Sequence, residues 1–104
     1  MFEVIQIDDT EYFQFILKTN NGNVLLFSME YMSEEDAFTA SRLCKQLSLS
    51  KTNFERKTAS NGKFFFIIKD MFGKAIADSS YFSSEVGMQN VIDSIIQMFQ
   101  KKTA

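Results

Sequence analysis

The sequence predicts an α+β protein with six β-strands, paired in antiparallel hairpins, and two α-helices. Three observations support this prediction: the chain repeats itself at a spacing of 51 residues, short apolar runs alternate with period two, and each half ends in an amphipathic helical pattern. Because hairpins precede the helix in each half, the order is typical of the α+β class. We expect one composite domain over 1–104, with internal repeats 1–50 and 51–104.

The internal repeat is the most informative pattern in the chain. When the sequence is aligned with itself at a shift of 51, nine of the 37 pairs from residue 11 to residue 47 are identical, against roughly two by chance. The starts of the halves also match, since Phe2-Glu3 aligns with Phe54-Glu55 at a shift of 52. A half of about 50 residues buries too little surface to be stable alone, so the halves are expected to share one core. The identical pairs are Phe13/Phe64, Phe15/Phe66, Ile16/Ile67, Lys18/Lys69, Gly22/Gly73, Ser28/Ser79, Ser33/Ser84, Glu34/Glu85 and Gln46/Gln97.

The first half begins with three predicted strands, at 2–7, 12–18 and 24–27. In the second strand, Phe13, Phe15 and Leu17 share one side, which is the period expected of a strand. Segment 20–23, Asn-Asn-Gly-Asn, predicts a turn because these residues adopt positive φ at little cost. A helix follows, with Ser33 as its cap and three acidic residues at the positive end of its dipole. Its apolar stripe is Ala37, Ala40, Leu43, Cys44 and Leu47.

The second half repeats this order, with predicted strands at 54–59, 63–69 and 74–78. Turns are predicted at 60–62, where Asn-Gly is a strong hairpin signal, and at 71–73. Ser83 or Ser84 caps a second helix that runs to about residue 100. This helix is more apolar than the first, which indicates either deeper burial or a contact with a partner subunit. Its stripe is Met88, Val91, Ile92, Ile95, Ile96 and Phe99.

Composition limits the classes of function. A net charge of −2 supplies no overall attraction to anionic lipid and argues against nucleic acid as a partner. The absence of histidine removes the commonest general base and metal ligand, and a single cysteine cannot form an internal disulfide. No apolar run approaches the roughly 18 residues of a membrane span, and no signal peptide is recognisable. We expect a soluble, cytoplasmic protein with no membrane association.

Three groups of residues could carry chemistry, but none of them predicts an enzyme. Cys44 falls on the apolar stripe of the first helix, so a buried and inert thiol is expected. Residues 8–11, Asp-Asp-Thr-Glu, indicate a solvated turn, since calcium requires six or more oxygen ligands at set spacing. The acidic run 34–36 is explained by the helix dipole, and the four glycines are too scattered for a phosphate-binding loop. No catalytic, cofactor, metal or small-molecule site is therefore predicted.

Two glutamates also match in the repeat. Glu3 and Glu55 lie early in corresponding strands. An ion pair with a basic neighbour such as Arg56 or Lys57 is expected, which is a structural role rather than a catalytic one.

Segment 53–66, Asn-Phe-Glu-Arg-Lys-Thr-Ala-Ser-Asn-Gly-Lys-Phe-Phe-Phe, resembles the signature opening of the YegP-like family. These are small, mostly bacterial proteins with one or two copies of a domain of unknown function. The resemblance covers nearly the whole chain and is more specific in the second copy. The family's usual Asn-Gly-Ile is Thr39-Ala40-Ser41 in the first copy and Asn90-Val91-Ile92 in the second, so the first copy has lost any function of that motif. Other matching positions include Lys69, Gly73, Ser79, Ser83, Ser84 and Ser94, and in the first copy Phe13, Phe15, Leu17, Lys18, Asn21, Gly22, Ser28, Tyr31, Ser33 and Ala37.

The resemblance implies a specific architecture. Two β-β-β-α units would join in a single six-stranded, mainly antiparallel sheet with two helices packed on one face. The helices would be exchanged between repeats, so that each packs across the other unit, and single-copy members would build the same object as a dimer. The family has no established activity, so the resemblance leaves the function open.

The second face of the central strands is the predicted interaction surface. If Phe13, Phe15 and their repeat equivalents lie under the helices, the intervening residues leave apolar side chains on a face that is normally polar. We expect this face to contact another copy of the chain, as a homodimer, or an unknown protein partner. The alternatives are weak binding of single-stranded nucleic acid through aromatic rings and lysines, or lysine stems that cover the apolar residues without any binding. The candidate residues are Tyr12, Ile16, Phe65, Ile67, Lys63 and Lys69.

Overall fold

The computed structural model describes residues 1–100 and shows six strands and two helices in the predicted order. The α+β class is confirmed, and every strand lies within one residue of its predicted bounds at each end. A short 3-10 turn, Lys51–Asn53, precedes the fourth strand. The strands are β1 Phe2–Gln6, β2 Phe13–Lys18, β3 Val24–Ser28, β4 Phe54–Thr58, β5 Phe64–Lys69 and β6 Ala75–Ser79, and the helices are α1 Glu34–Leu47 and α2 Glu85–Gln100.

All six strands form a single antiparallel sheet in the order β1-β2-β3-β6-β5-β4. Each half contributes three consecutive strands, and the pairing of β3 with β6 joins the halves at the centre of the sheet. In each half, the pairing of the second strand with the third has an irregularity at the equivalent position. The register shifts after Leu17 in the first half and after Ile68 in the second. The sheet is thus continuous across the two halves.

Ser28 and Ser79, which align in the two halves, are buried and make the same hydrogen bonds. The backbone N–H of Phe15 donates to Ser28 Oγ at 2.8 Å, and that of Phe66 donates to Ser79 Oγ at 2.9 Å. Each hydroxyl donates in turn to the carbonyl of the next residue at 2.7 Å. Because an unpartnered backbone N–H in the core is costly, both positions favour a small side chain that accepts and donates.

Serine hydroxyls also cap the two helices. Ser33 Oγ accepts from the backbone N–H of Asp36 at 3.1 Å, and Ser84 Oγ accepts from that of Gly87 at 3.0 Å. These bonds satisfy N–H groups that have no partner within the first turn of a helix. Of the two serines before α2, Ser84 is therefore the cap.

The buried face of α1 differs from its predicted stripe at one edge. Leu43 is 40% exposed, whereas Ser41 is buried and its hydroxyl donates to the carbonyl of Phe38 at 2.7 Å. A hydroxyl bonded to its own helix can be buried at little cost. The buried residues of α1 are Ala37, Ala40, Ser41 and Cys44, and those of α2 are Met88, Ile92, Ile95 and Ile96.

The core draws on both halves. The fully buried side chains of Phe15 and Leu17 in β2 belong to the same cluster as those of Phe66 and Ile68 in β5. Helix α1 lies against β1 and β2 of its own half and against β5 and β6 of the other. At the end of α2, the ring of Phe99 stacks on Phe2 of β1, with 5.4 Å between centroids. Each helix therefore reaches strands of both halves, while a complete exchange of the helices stays a prediction.

The greater apolar content of α2 matches its burial. Ile92 is fully buried and Ile96 nearly so, and Val91 and Phe99 pack against the core at its margin. Within residues 1–100, neither helix has the length and hydropathy needed to cross a bilayer.

Candidate functional site

One row of side chains crosses the helix-free face of the sheet. In β2, Ile16 lies between Phe15 and Leu17, which are fully buried in the core. Successive side chains of a strand point to opposite faces, so Ile16 and its cross-strand neighbours point away from the helices. The pairings place six residues directly opposite one another, and we call them the central row. In sheet order they are Glu3, Ile16, Phe27, Asp78, Ile67 and Glu55.

The exposed apolar surface on this face is carried mainly by aromatic rings. Phe27 and Tyr12 are each 40% exposed, and Phe65 is half-buried with its ring edge-to-face against that of Tyr81, 5.4 Å between centroids. By contrast, Ile16 is only 7% exposed, so it adds little contact area. Among the predicted residues, Tyr12 and Phe65 therefore contribute more accessible surface than Ile16.

The sequence reasoning missed Phe27 as a member of this face. Leu26 is fully buried on the helix side, and period two places its neighbour Phe27 on the opposite side. That alternation was present in the sequence, but the strand is short and four of its residues are apolar. Only the pairing of Phe27 with Ile16 and Asp78 shows that it lies in the centre of the row.

Lysines pair with the glutamates at both ends of the central row. Lys18 Nζ lies 3.4 Å from Glu3 Oε2, and the equivalent Lys69 forms an ion pair with Glu55. Lys57 Nζ also lies 3.7 Å from Glu55 Oε2, which confirms the pairing expected with Lys57. The ends of the row are thus polar and compensated in charge.

The hydrogen bond from Lys69 is the main reason that the pKa of Glu55 lies below its ordinary value of 4.5. Desolvation opposes this shift, and the charge of Lys57 adds to it. Arg56, the other suggested partner, does not face Glu55. It donates instead to the side-chain Oε1 of Gln89 on α2.

Asp78 occupies the middle of the row, between Phe27 and Ile67. Burial raises the pKa of Asp78 above its ordinary value of 3.8. Among residues 1–100, the ion pairs involve Glu3 and Glu55 but not Asp78. Within the part of the chain that the structure describes, the centre of the face therefore holds a carboxylate in apolar surroundings that forms no ion pair.

The remaining predicted lysine lies at the edge of this surface. Lys63 precedes β5 and is exposed, in the turn where its backbone N–H donates to Asn61 Oδ1 at 3.0 Å. Its partner in the prediction, Lys69, is held against Glu55. The structure thus leaves Lys63 more accessible than Lys69.

The cysteine lies on the other side of the sheet, on the buried face of α1. Cys44 is fully buried, and burial raises the pKa of its thiol to about 12, against a smaller lowering effect of its hydrogen-bonding neighbour Ser48. A thiol of this kind is not a nucleophile at neutral pH. In the described residues, no three side chains among histidine, cysteine, aspartate and glutamate are grouped to hold a metal ion.

Proteins of similar sequence occur in several bacteria. The chain is 32% identical to UPF0339 protein YegP of Escherichia coli K12 over 94 residues, which cover 90% of this chain and 84% of that protein. It is 34% identical to UPF0339 protein PM0519 of Pasteurella multocida over 83 residues, covering 80% and 73%. No protein-family model matches the chain.

Two solved structures share the fold. One is the solution NMR structure of a protein of unknown function, yegP from E. coli, with a TM-score of 0.85 and 30% identity over 98% of this chain and 87% of that one. The other is the solution NMR structure of UPF0339 protein SO3888 from Shewanella oneidensis, with a TM-score of 0.84 and 25% identity over 98% and 86%. Both likenesses span the whole sheet and both helices.

Proposed function

The chain belongs to the UPF0339 family of YegP-like proteins, whose function is unknown, and on that premise we propose that it is a non-enzymatic protein-interaction module. Its contact surface would be the helix-free face of the sheet. The observation that carries this proposal is that three of the four inner positions of the central row, Ile16, Phe27 and Ile67, are apolar, with Asp78 as the fourth.

The distribution of charge on this face supports a contact surface. The open side of an antiparallel sheet is normally polar, and exposed apolar patches in soluble proteins mark contact sites. Here the lysines and glutamates are paired at the two ends of the row, while Phe27, which lies between these ends, remains exposed. A largely apolar centre with a polar rim is the usual anatomy of a protein interface, and here the centre also contains Asp78.

Asp78 defines what such a partner must supply. Removing the remaining water from a carboxylate in an interface costs free energy unless a cation and hydrogen bonds compensate the charge. A partner that covers Phe27 also covers Asp78, its cross-strand neighbour. The matching surface is therefore apolar with one lysine or arginine placed opposite Asp78.

The same carboxylates weaken the alternative of single-stranded nucleic acid. On this face Lys18 and Lys69 are already paired with the two glutamates and Asp78 adds a negative charge, so little positive charge is available to attract phosphates. The electrostatic part of such binding is strongest at low salt. A fluorescence-anisotropy titration with oligonucleotides at low salt tests it, and a flat titration at tens of micromolar protein removes this alternative.

The internal repeat supports a composite origin. We propose that the two β-β-β-α units are diverged copies that now form one composite domain, acting in the cytoplasm. The shared serine bonds, the shared glutamate-lysine pairs and the common core support this proposal. A chain cut in the linker between residues 48 and 52 should then fold only when both pieces are mixed, as followed by circular dichroism.

Phe27→Lys tests the contact surface, with Phe38→Lys as the matched control. Phe38 is an exposed phenylalanine on α1, on the opposite side of the sheet. We expect Phe27→Lys to abolish the capture of specific binding proteins by the immobilised chain, or its face-dependent self-association in sedimentation velocity. Phe38→Lys should change neither. Equal behaviour of both variants and the parent chain would reject the face as the contact site.

A further inference from the structure

Three hairpin turns in this protein have the same backbone. They lie at 19–23, 59–63 and 70–74, and in each the first residue donates its N–H to the carbonyl of the fifth at 2.8–2.9 Å. In each, the glycine at the fourth position donates to the carbonyl of the first at 2.9–3.0 Å and has a φ between 82° and 87°. The three turns therefore place the same geometric demands on their second and third residues.

Those two residues differ in a way that the turn does not require. They are Asn20-Asn21 and Ser60-Asn61 in two turns but Met71-Phe72 in the third. Met71 is 83% exposed and Phe72 is 87% exposed. Since polar residues form the same turn twice in this chain, turn geometry alone does not explain an apolar pair there.

The Met71-Phe72 tip is held in place by its own turn. Asp70 Oδ1 accepts hydrogen bonds from the backbone N–H groups of Phe72 and Lys74, both at 2.9 Å. A preorganised apolar protrusion loses little conformational freedom when it enters a pocket. Met71 and Phe72 therefore have the exposure and the fixed backbone expected of residues that anchor a protein contact.

A groove lies beside the base of the same hairpin. Its volume is about 330 Å³, and α1 forms one wall and the start of β6 the other. Leu43, which helical periodicity predicted to be buried, lines this groove and is 40% exposed. Its other lining residues include Tyr31, Asp36, Ala40, Lys74 and Ile76.

We propose that the Met71-Phe72 tip of one copy inserts into this groove of a second copy, and that the second tip fills the first groove. A protrusion and a pocket that adjoin on one surface allow a two-fold contact in which each copy gives and receives the same residues. Lys74, Asp36 and Asp70 all line this groove, so a two-fold contact brings together charges of both signs from each copy. The site is separate from the helix-free face, and the inference does not depend on the proposed function.

The area available predicts a weak, reversible dimer. Two side chains such as Met71 and Phe72 bury on the order of 300 Å² per tip, and the groove that receives them buries a similar area. Two tips and two grooves then give roughly 1,200 Å² in total, the lower end of specific interfaces. Among the residues that line the groove, the carboxylates of Asp36 and Asp70 outnumber the ammonium group of Lys74, which argues against an anionic membrane surface as the occupant.

Sedimentation equilibrium of the full chain over a wide concentration range tests the proposal. The variant Met71→Asn/Phe72→Asn reproduces the natural Asn20-Asn21 turn, so it should fold with an unchanged circular dichroism spectrum. We expect a monomer–dimer equilibrium in the parent chain and a dissociation constant raised at least about tenfold in this variant. Leu43→Glu, on the groove side, should weaken the dimer by a similar factor.

Two controls make the result specific. Phe27→Lys should leave this dimer unchanged, which separates the tip from the helix-free face. Adding Asn20→Met/Asn21→Phe to the Met71→Asn/Phe72→Asn variant moves the apolar tip to the equivalent turn of the first half and should not restore dimerisation. A parent chain that is monomeric at all concentrations, or a dimer that survives loss of the tip, overturns the proposal. Monomers that bind neutral phosphatidylcholine vesicles through the tip would overturn it in favour of a lipid surface.

Discussion

Phe27 and Asp78 lie directly opposite each other where β3 pairs with β6, at the junction between the two halves of the sheet. They are also equivalent positions of the repeat, 51 residues apart. An aromatic ring in one half thus faces a carboxylate in the other at the place where two equal copies would present the same side chain. This difference between Phe27 and Asp78 makes the two halves of the helix-free face chemically distinct, so a partner can distinguish them.

Replacing Asp78 should stabilise the protein at neutral pH. Because burial raises the pKa of Asp78, its ionised form is disfavoured in the folded state, and the penalty is present above the folded pKa. The penalty is lost as the pH falls through the folded pKa. It is absent below 3.8, because the carboxyl is then protonated in both the folded and the unfolded state. Asp78→Asn should therefore raise the free energy of unfolding at pH 7 by less than about 1 kcal/mol, since the site is partly solvated.

Urea unfolding of the parent chain and of Asp78→Asn at pH 7 and at pH 3 measures this difference. The gain should be present at pH 7 and absent at pH 3. Asp8→Asn, in an exposed turn, serves as the control and should show little change at either pH. A loss of stability in Asp78→Asn at pH 7 would show that Asp78 has a compensating partner.

The carboxyl pKa of Glu55 should depend more on Lys69 than on Lys57. The hydrogen bond from Lys69 is the largest cause of its lowered pKa, so Lys69→Gln should move the value up towards 4.5. Lys57→Gln should have a smaller effect, and Lys18→Gln, which affects only the equivalent Glu3, should have none. NMR titration of the Glu55 carboxyl carbon measures each value.

The ion pair of Glu55 with Lys69 also predicts how the stability of the fold changes with pH. A carboxyl with a lowered pKa in the folded state stabilises the fold above its ordinary value, here 4.5, and this contribution is lost as the pH falls through the folded pKa. Lys69→Gln should remove that part of the acid dependence. A larger response to Lys57→Gln than to Lys69→Gln would contradict the assignment.

The two buried serines should be equally important for stability. Ser28→Ala leaves the N–H of Phe15 without its acceptor in the core, and Ser79→Ala does the same to Phe66. Each change should lower the free energy of unfolding by about 1–3 kcal/mol. Denaturant unfolding measures the loss, with the exposed Ser83→Ala as a control. A change below about 0.5 kcal/mol would mean that water replaces the hydroxyl.

The thiol of Cys44 should be inert in the folded protein. With a pKa of about 12 and full burial, it is protonated and inaccessible at pH 8. Ellman's reagent should therefore react with the parent chain only after denaturation. The matched control is Leu43→Cys in a Cys44→Ala background, which places a thiol one residue away at an exposed position and should react at once. Rapid labelling of the native parent chain would refute the burial of Cys44.

Secondary structure was predictable because its signals are local. The alternation around Phe15, the hydroxyl of Ser33 and the glycine of each turn act on their own neighbours, so the elements were placed within a residue. The limits of the buried face of a helix were harder to predict. Leu43 and Ser41 lie on either side of the buried face of α1, and periodicity alone does not decide which of them the sheet covers.

The candidate site was predictable only in part. Period two correctly placed Ile16, Phe65 and Ile67 on the helix-free face, and their role in binding stays a prediction. It did not reveal that Ile16 is nearly covered or that Phe27 is exposed beside it. The pairing of Glu55 with Lys69 was missed for a similar reason, since the two are 14 residues apart and meet only across a hairpin.

The sequence alone determined the similarity between its two halves, the α+β class, the bounds of the strands and helices, and the burial of Cys44, because these depend on spacing and composition along the chain. The tertiary structure decided which strands are neighbours, and it paired β3 with β6. That pairing aligns Phe27 with Asp78, and the packing of α1 beside β6 leaves Leu43 at the edge of a groove. Contacts between residues distant in sequence depend on strand order and register, and local patterns of side chains do not specify either of these.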